Sequence, residues 1–188
     1  MLLSAPHGWG APSAWLARWS HLVPAGGSVL DVACGAGRHM RWFADRGHVV
    51  TGVDRSPEAV DAASGFGRTL LADIESGPWP FAGQAFDAVV VTNYLWRPLL
   101  PDIVAAVAPG GVLLYETFAV GNETVGKPSR PDFLLQPGEL LSASKELHVV
   151  AYEDGYLDEP ARFVQRIAAV RPTGALLRHA LKVDPPNQ

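Results

Sequence analysis

The 188-residue chain is expected to fold as an open, doubly wound α/β sheet of seven strands, mostly parallel, with the last strand antiparallel. Three observations carry this expectation. Short apolar, β-branched runs alternate with stretches of helical periodicity, which is the pattern of a parallel sheet built from crossover units. The strand-like runs are apolar on both faces, as strands covered by helices on two sides must be. Glycine and proline fall at the junctions between these runs, where the chain has to turn.

Taken in order, a helix is expected over about 11–22, and the core of the domain over 26–171. Ser28 to Ala33, bounded by Gly26-Gly27 and Gly35, suits a buried first strand. After Gly37 a helix places Met40, Phe43 and Ala44 on one face and stops at Gly47. His48 to Val53 is a second strand closed by Asp54. Ser56-Pro57-Glu58 then supplies a cap, a proline at the first helical position and an acid in the first turn of a helix that runs to about Ser64. Thr69 to Ala72 is a short third strand. A proline-rich connection around Gly77 to Phe81 leads to Phe86–Val91, the most β-branched stretch and hence a central strand. Pro98 to Ala108 fits a helix stopped by Pro109-Gly110-Gly111, and Val112 to Phe118 a fifth strand. Gly121 to Arg130 is polar and without periodicity, long enough for a lid or substrate wall. A short helix is expected from Pro137 to Leu141. His148 to Tyr152 and Phe163 to Val170 complete the sheet, joined through turns at Asp154-Gly155 and Glu159-Pro160. The tail, 172–188, is expected to be flexible. No repeat or linker divides the chain, so the whole of 1–188 is read as one domain.

Composition narrows the function classes. Fifteen Lys and Arg against 19 Asp and Glu leave a formal charge of −4, which disfavours a polyanion-binding protein. The one cysteine, Cys34, excludes an internal disulfide framework. No apolar run approaches the ~18 residues needed to cross a bilayer, and no charged region precedes apolar residues at the start. A cytoplasmic protein without membrane or nucleic-acid partners is expected. The six histidines never fall at metal-ligand spacing, so no metal is expected. There is neither a GxSxG elbow nor a GxxxxGK[ST] loop, and so no hydrolase nucleophile or P-loop cradle.

In sheets of this type ligands sit beyond the carboxyl ends of the strands, and those positions carry a pattern. The first strand runs into Asp31-Val32-Ala33-Cys34-Gly35-Ala36-Gly37, whose small residues let a ligand approach the backbone. Asp54, 23 positions after Asp31, closes the second strand at the distance where a carboxylate can accept from ribose hydroxyls. Asp73 follows the third strand, where it can take an exocyclic amino group while the Ile74 N–H meets a ring nitrogen. Together these outline an adenosine pocket. A dinucleotide fingerprint is incomplete, because Met40 stands where GxGxxG needs its third glycine.

The ordered stretches VLDVACGAGRH, GHVVTGVDRSPEAV, LLADIE, FDAVVVTNYL and VAPGGVLLYETF resemble the motifs of class I S-adenosylmethionine-dependent methyltransferases, over about Gly26 to Arg171. GRH after the glycine turn, PGEL at Pro137–Leu140 and YEDG near the last hairpin resemble the tellurite-resistance methyltransferase-like group. The resemblance implies a Rossmann-like fold with S-adenosylmethionine as cofactor. It implies that Ala33, Cys34, Gly35 and Gly37 face the methionine part, with Asp31 supporting the turn or the ammonium group. Asp54 would hold the ribose with Arg55 beside the adenine, Asp73 and Ile74 would meet the adenine edge, and Asn93 and Tyr94 would flank the methionine and the transferable methyl. Family proteins often have glycine where this chain has Ala33. The candidate catalytic residues are Tyr94, Glu116 and His39, needed as a base only if the acceptor arrives protonated. The position after the fourth strand reads Thr92-Asn93-Tyr94-Leu95, without the paired prolines of nucleic-acid amino methylases, and this favours a small-molecule acceptor. Where tellurite-type relatives present His and Arg, the chain has Leu157-Asp158-Glu159-Pro160, with Arg162 close by. The rival readings are a nucleoside-binding regulatory module without turnover and an NAD-linked oxidoreductase. A monomer or homodimer is expected.

Overall fold

Alternate residues of each central strand feed two separate apolar layers, and this fixes the architecture. In β4 (Phe86–Thr92) Val89 and Val91 join one layer with Leu30, Val32, Leu113 and Ile167, while Ala88 and Val90 join the other with Val29, Leu114 and Ala168. Both faces of the sheet are therefore apolar, and each needs a helical cover. A computed structural model describes residues 10–175 and 178–181. Seven strands form one sheet in the order β3-β2-β1-β4-β5-β7-β6, with β1 (Ser28–Val32), β2 (Val49–Asp54), β3 (Arg68–Leu71), β5 (Val107–Phe118), β6 (His148–Asp158) and β7 (Ala161–Val170). Pairing is parallel from β3 through to β5, and β7 runs antiparallel to both β5 and β6. The fold class expected from the sequence is the one observed.

One face is covered by α1 (Ala14–Trp19), α2 (Arg38–Ala44) and α3 (Pro57–Ala63), through Trp15, Leu16, Trp19, Met40, Phe43 and Ala63. The other is covered by α4 (Leu100–Ala105) and α5 (Glu139–Ala143), through Ile103 and Leu140. No helix links β3 to β4. The proline-rich connection folds back instead, and Phe81, 2% exposed, fills the gap by packing edge-on against Trp79 and Phe86. Each such fully buried side chain stabilises by about 1.5–3 kcal/mol.

The local signals act as anticipated at α3, where the Ser56 hydroxyl accepts from the Ala59 N–H and Pro57 opens the helix. The expected N-terminal helix is α1 extended by a 3₁₀ turn at Ser20–Leu22. Three expectations need correction. The helix expected to 108 ends at Ala105, because Ala106 already accepts from the Phe86 N–H at the start of a strand pair. Pro109-Gly110-Gly111 thus lies within an irregular opening of β5 and does not stop a helix: Gly110 takes φ +79°, and the β4–β5 register shifts between Phe86 and Ala88. Asp154-Gly155 is not a turn but the middle of β6, paired with Gln165 and Val164, since the antiparallel ladder to β7 outweighs the local turn preference. The hairpin turns at Glu159-Pro160 alone. Part of the tail expected to be flexible, and the first nine residues, lie outside the described residues.

Strand order reverses between β1 and β4, and the crevice beyond their carboxyl ends is where ligands bind in such sheets.

Candidate active site

The turn after β1 is built by left-handed backbone. Ala33, Gly35 and Gly37 take φ +55°, +54° and +79°, and the turn is tied down by Cys34 N–H to Val53 O at 3.0 Å and Gly37 N–H to Cys34 O at 3.1 Å. The Cys34 side chain is buried against Gly52, where an added Cβ would lie 2.8 Å from its sulfur. Burial, followed by the charges of Asp31 and Asp54, pushes this thiol up, so it packs rather than reacts. An alanine in the left-handed region carries about 1 kcal/mol of strain. Ala33→Gly is expected to raise the melting temperature by no more than about 2 °C in a thermal scan, because the greater freedom glycine gives the unfolded chain offsets most of the relieved strain.

Asp54 braces this turn from the end of β2: its Oδ2 accepts from the Gly35 N–H and its Oδ1 from the Ser56 N–H, both at 2.9 Å. Asp73 likewise closes its own turn, Oδ1 accepting from Glu75 and Ser76 N–H, and these bonds hold its carboxyl below the usual range. Its second oxygen takes no part in that turn. Between the two lies a cavity of about 120 Å³ lined by Ala33, Asp54, Arg55, Asp73, Ile74, Glu75 and Tyr94. Six of the residues singled out in the sequence thus meet in one cavity.

The others stand around it. Asp31 is 2% exposed, and its Oδ2 has no hydrogen-bond partner among the described residues. Burial pushes its carboxyl up to about 7, Asp54 adding to the rise and Arg38 opposing it. Asn93 turns the chain after β4 with φ +54°, a conformation asparagine tolerates, and its N–H donates to Glu116 O at 2.9 Å. With Tyr94 it lines a second cavity. The Tyr94 hydroxyl is buried without a hydrogen-bond partner among the described residues. Burial and the neighbouring Glu75 carboxylate push it up, although Glu75 stands outside hydrogen-bond geometry.

His39 and Glu116 are engaged with the protein itself. The Ser13 N–H donates to His39 Nε2 at 3.1 Å, which leaves the ring proton on Nδ1, 3.3 Å from Thr92 Oγ1. Burial, with Arg38 beside it, pulls this imidazole down to about 3, so it is neutral at ordinary pH. Glu116 Oε1 accepts from the Ser13 hydroxyl at 3.0 Å and faces Arg162 at 3.6 Å, and its Oε2 accepts from Arg166 at 3.3 Å. Ser13 therefore pins α1 to α2 and to β5 at once. Sequence reasoning missed Ser13 and Glu75, as well as Arg97. Glu75 had a signal, since it stands two residues beyond Asp73 at a strand end, and Ser13 had the local signal of a helix N-cap, its hydroxyl accepting from Leu16 N–H at 3.4 Å, though nothing local marks its bonds to His39 and Glu116 or those of Arg97, whose partners are 26 or more residues away.

The left-handed turn after β1 and the carboxylates at the ends of consecutive parallel strands thus stand together in the structure. Residues 29–111 match the methyltransferase domain family. The chain is 36% identical over 106 residues to the malonyl-[acyl-carrier protein] O-methyltransferase of Serratia marcescens, covering 52% of this chain and 40% of that protein. It is 31% identical over 105 residues to a demethylmenaquinone methyltransferase of Tropheryma whipplei, covering 52% and 44%. The chain spans less than half the length of these curated relatives. Its fold is similar to that of TehB from Haemophilus influenzae, with a TM-score of 0.65 and 21% identity over 81% of this chain and 60% of that one. S-adenosylmethionine is the cofactor that the resemblance to methyltransferases implies. The residues fit it: the crevice ends in two braced carboxylates, and a buried carboxylate oxygen at Asp31 lacks a partner among the described residues. Among the described residues no helix is long and apolar enough to cross a membrane, and no group of His, Cys, Asp and Glu is arranged to hold a metal ion.

Proposed function

We propose that this protein transfers a methyl group from S-adenosylmethionine to a small-molecule acceptor. The observation that carries the proposal is the cavity joining Ala33, Asp54, Asp73, Ile74 and Tyr94 beside the unpartnered Asp31 oxygen. Asp54, held rigid by its two backbone bonds, has lone pairs left for ribose hydroxyls. The second oxygen of Asp73 takes the exocyclic amine, and Ile74 the ring edge, with Arg55 beside it. Asp31 takes the ammonium group, beside the turn formed by Ala33, Cys34, Gly35 and Gly37. Asn93 and Tyr94 flank the methionine. When bound, the cofactor supplies a methyl already activated on a sulfonium, so the protein's task is position and exclusion of water.

That division of labour gives His39, Glu116 and Ser13 a positioning role. They fasten α1, α2 and the ends of β4 and β5 around the reacting end of the pocket. The Tyr94 hydroxyl, pushed up, is a hydrogen-bond donor at working pH rather than a base. The names of the curated relatives, one acting on a malonyl group and one on a demethylmenaquinone, support acceptors other than nucleic acid.

S-adenosylhomocysteine at a hundred times its dissociation constant is expected to stabilise the protein by about 2.7 kcal/mol, or about 5–10 °C. Radiolabel from methyl-tritiated S-adenosylmethionine should appear in one member of a small-molecule panel. No thermal shift, or a shift with NADH in its place, would overturn the proposal. A shift without transfer to any panel member would favour a binding module.

A further inference from the structure

We infer that the cavity bounded by Tyr94, Phe118, Pro128 and Phe133 is the acceptor site, and that it takes a planar, largely apolar ring carrying a hydroxyl group. The inference rests on the methyl-transfer reading above and names the substrate class that this reading leaves open.

Position comes first. An acceptor must reach the cofactor from a space that adjoins the nucleoside cavity. This cavity, of about 290 Å³, shares three walls with the nucleoside cavity: Arg55, Glu75 and Tyr94. The larger groove between α4 and α5, lined by Leu100, Val104 and Lys145 among others, shares none. The volume lies just below the usual range for small-molecule sites, about 300–1,000 Å³, and suits one or two fused rings.

The lining sets the chemistry. Tyr94, Phe118 and Phe133 supply aromatic surface, with Leu95 and Pro128 between them, and such walls favour a flat apolar body. Glu75 is the one carboxylate among the residues that line this cavity, and Asn93 and Thr117 are its uncharged polar groups. Arg55, the one cation of the lining, is already paired with Glu75 at 3.7 Å, so the walls offer an anionic acceptor no free cation, whereas a hydroxyl can donate to Glu75. On transfer, the acceptor oxygen bonds the methyl carbon and the carbon–sulfur bond breaks, with its electron pair remaining on sulfur. The hydroxyl proton passes to the Glu75 carboxylate.

The wall is fastened in place before any ligand arrives. Arg97, just after β4, donates to Asp132 O and Leu134 O, both at 2.8 Å, on either side of Phe133, while its Nε bonds Glu139 Oε1 at 2.7 Å. Asn122 Nδ2 donates to Pro128 O at 2.9 Å, and Asn122 Oδ1 accepts from the Phe163 N–H at 3.2 Å. The aromatic wall is thus tied to α5 and β7, which reduces the ordering cost of binding.

The test uses the full chain loaded with S-adenosylhomocysteine and titrated by calorimetry with 2-naphthol, naphthalene and malonate. 2-Naphthol is expected to bind, naphthalene more weakly, and malonate not at all. Phe133→Ala should weaken 2-naphthol at least fivefold while S-adenosylhomocysteine affinity stays within twofold. Glu75→Ala, which leaves no acceptor at this point, should remove the advantage of 2-naphthol over naphthalene. Binding of malonate in preference to 2-naphthol, no 2-naphthol binding to the loaded protein, or 2-naphthol binding indifferent to Phe133→Ala would overturn the inference while leaving methyl transfer intact. Failure of the wild-type protein to bind S-adenosylhomocysteine would overturn both.

Discussion

Replacing Asp54 by alanine is expected to weaken S-adenosylhomocysteine binding about a hundredfold or more, and to lower stability in the same stroke. Two effects combine. The carboxylate is the proposed partner of the ribose hydroxyls, and two hydrogen bonds to a charged group at about 1.5–3 kcal/mol each correspond to a factor of about 10² to 10⁴. It also accepts from Gly35 and Ser56 N–H, and so holds the left-handed turn to the end of β2. Losing those bonds costs about 2 kcal/mol, moderated because Asp54 is only half-buried. Asp54→Asn keeps one acceptor oxygen, so calorimetry should place it between wild type and alanine. An alanine variant that melts earlier but binds with unchanged affinity would reduce Asp54 to a brace for the turn.

The dual duty of Asp54 shows what the sequence could and could not convey. A carboxylate at the end of the second strand is legible because strands end where apolar runs end and the ligand crevice lies beyond them. That the same carboxylate is fixed by Gly35, 19 residues away, depends on how two strands lie side by side. The pattern held best where the determinants are local. The Ser56 cap and the β-branched centre of β4 are examples, as is the small-residue turn whose φ values explain the glycines. It failed at Asp154-Gly155 and at Pro109-Gly110-Gly111, where pairing with a distant strand overrides residues that would turn or stop a free chain. His39 and Glu116 show the same limit at the site. Their types suit proton transfer, but the bonds from Ser13, an ion pair with Arg162 and a bond from Arg166 engage them, and these partners come from α1 and β7. Arg97 makes a comparable set of long-range bonds from a 3₁₀ turn, Arg97–Leu99, whose sequence reads as an ordinary connection.

The second large effect is a pH dependence centred on Asp31. Burial raises its folded-state value from 3.8 to about 7, so in the free protein the carboxyl is protonated below neutrality and ionised above it. The sign for stability follows from proton binding. Between about pH 4 and pH 7 the unfolded chain has already released this proton while the native state retains it, so stability falls as pH rises through that window, by up to ~4 kcal/mol for three pH units. Ligand binding runs the other way. The ammonium group of S-adenosylhomocysteine favours the ionised carboxylate, which about one molecule in ten presents at pH 6 and nearly all at pH 8. Affinity should therefore rise roughly tenfold between pH 6 and pH 8, with about one proton released per ligand bound near pH 6. Asp31→Asn should flatten both curves: the ligand-free protein should melt higher than wild type at pH 8, and its weakened affinity should no longer change with pH. Parallel pH profiles for wild type and Asp31→Asn would assign the titration to another group and leave the Asp31 oxygen without a ligand partner.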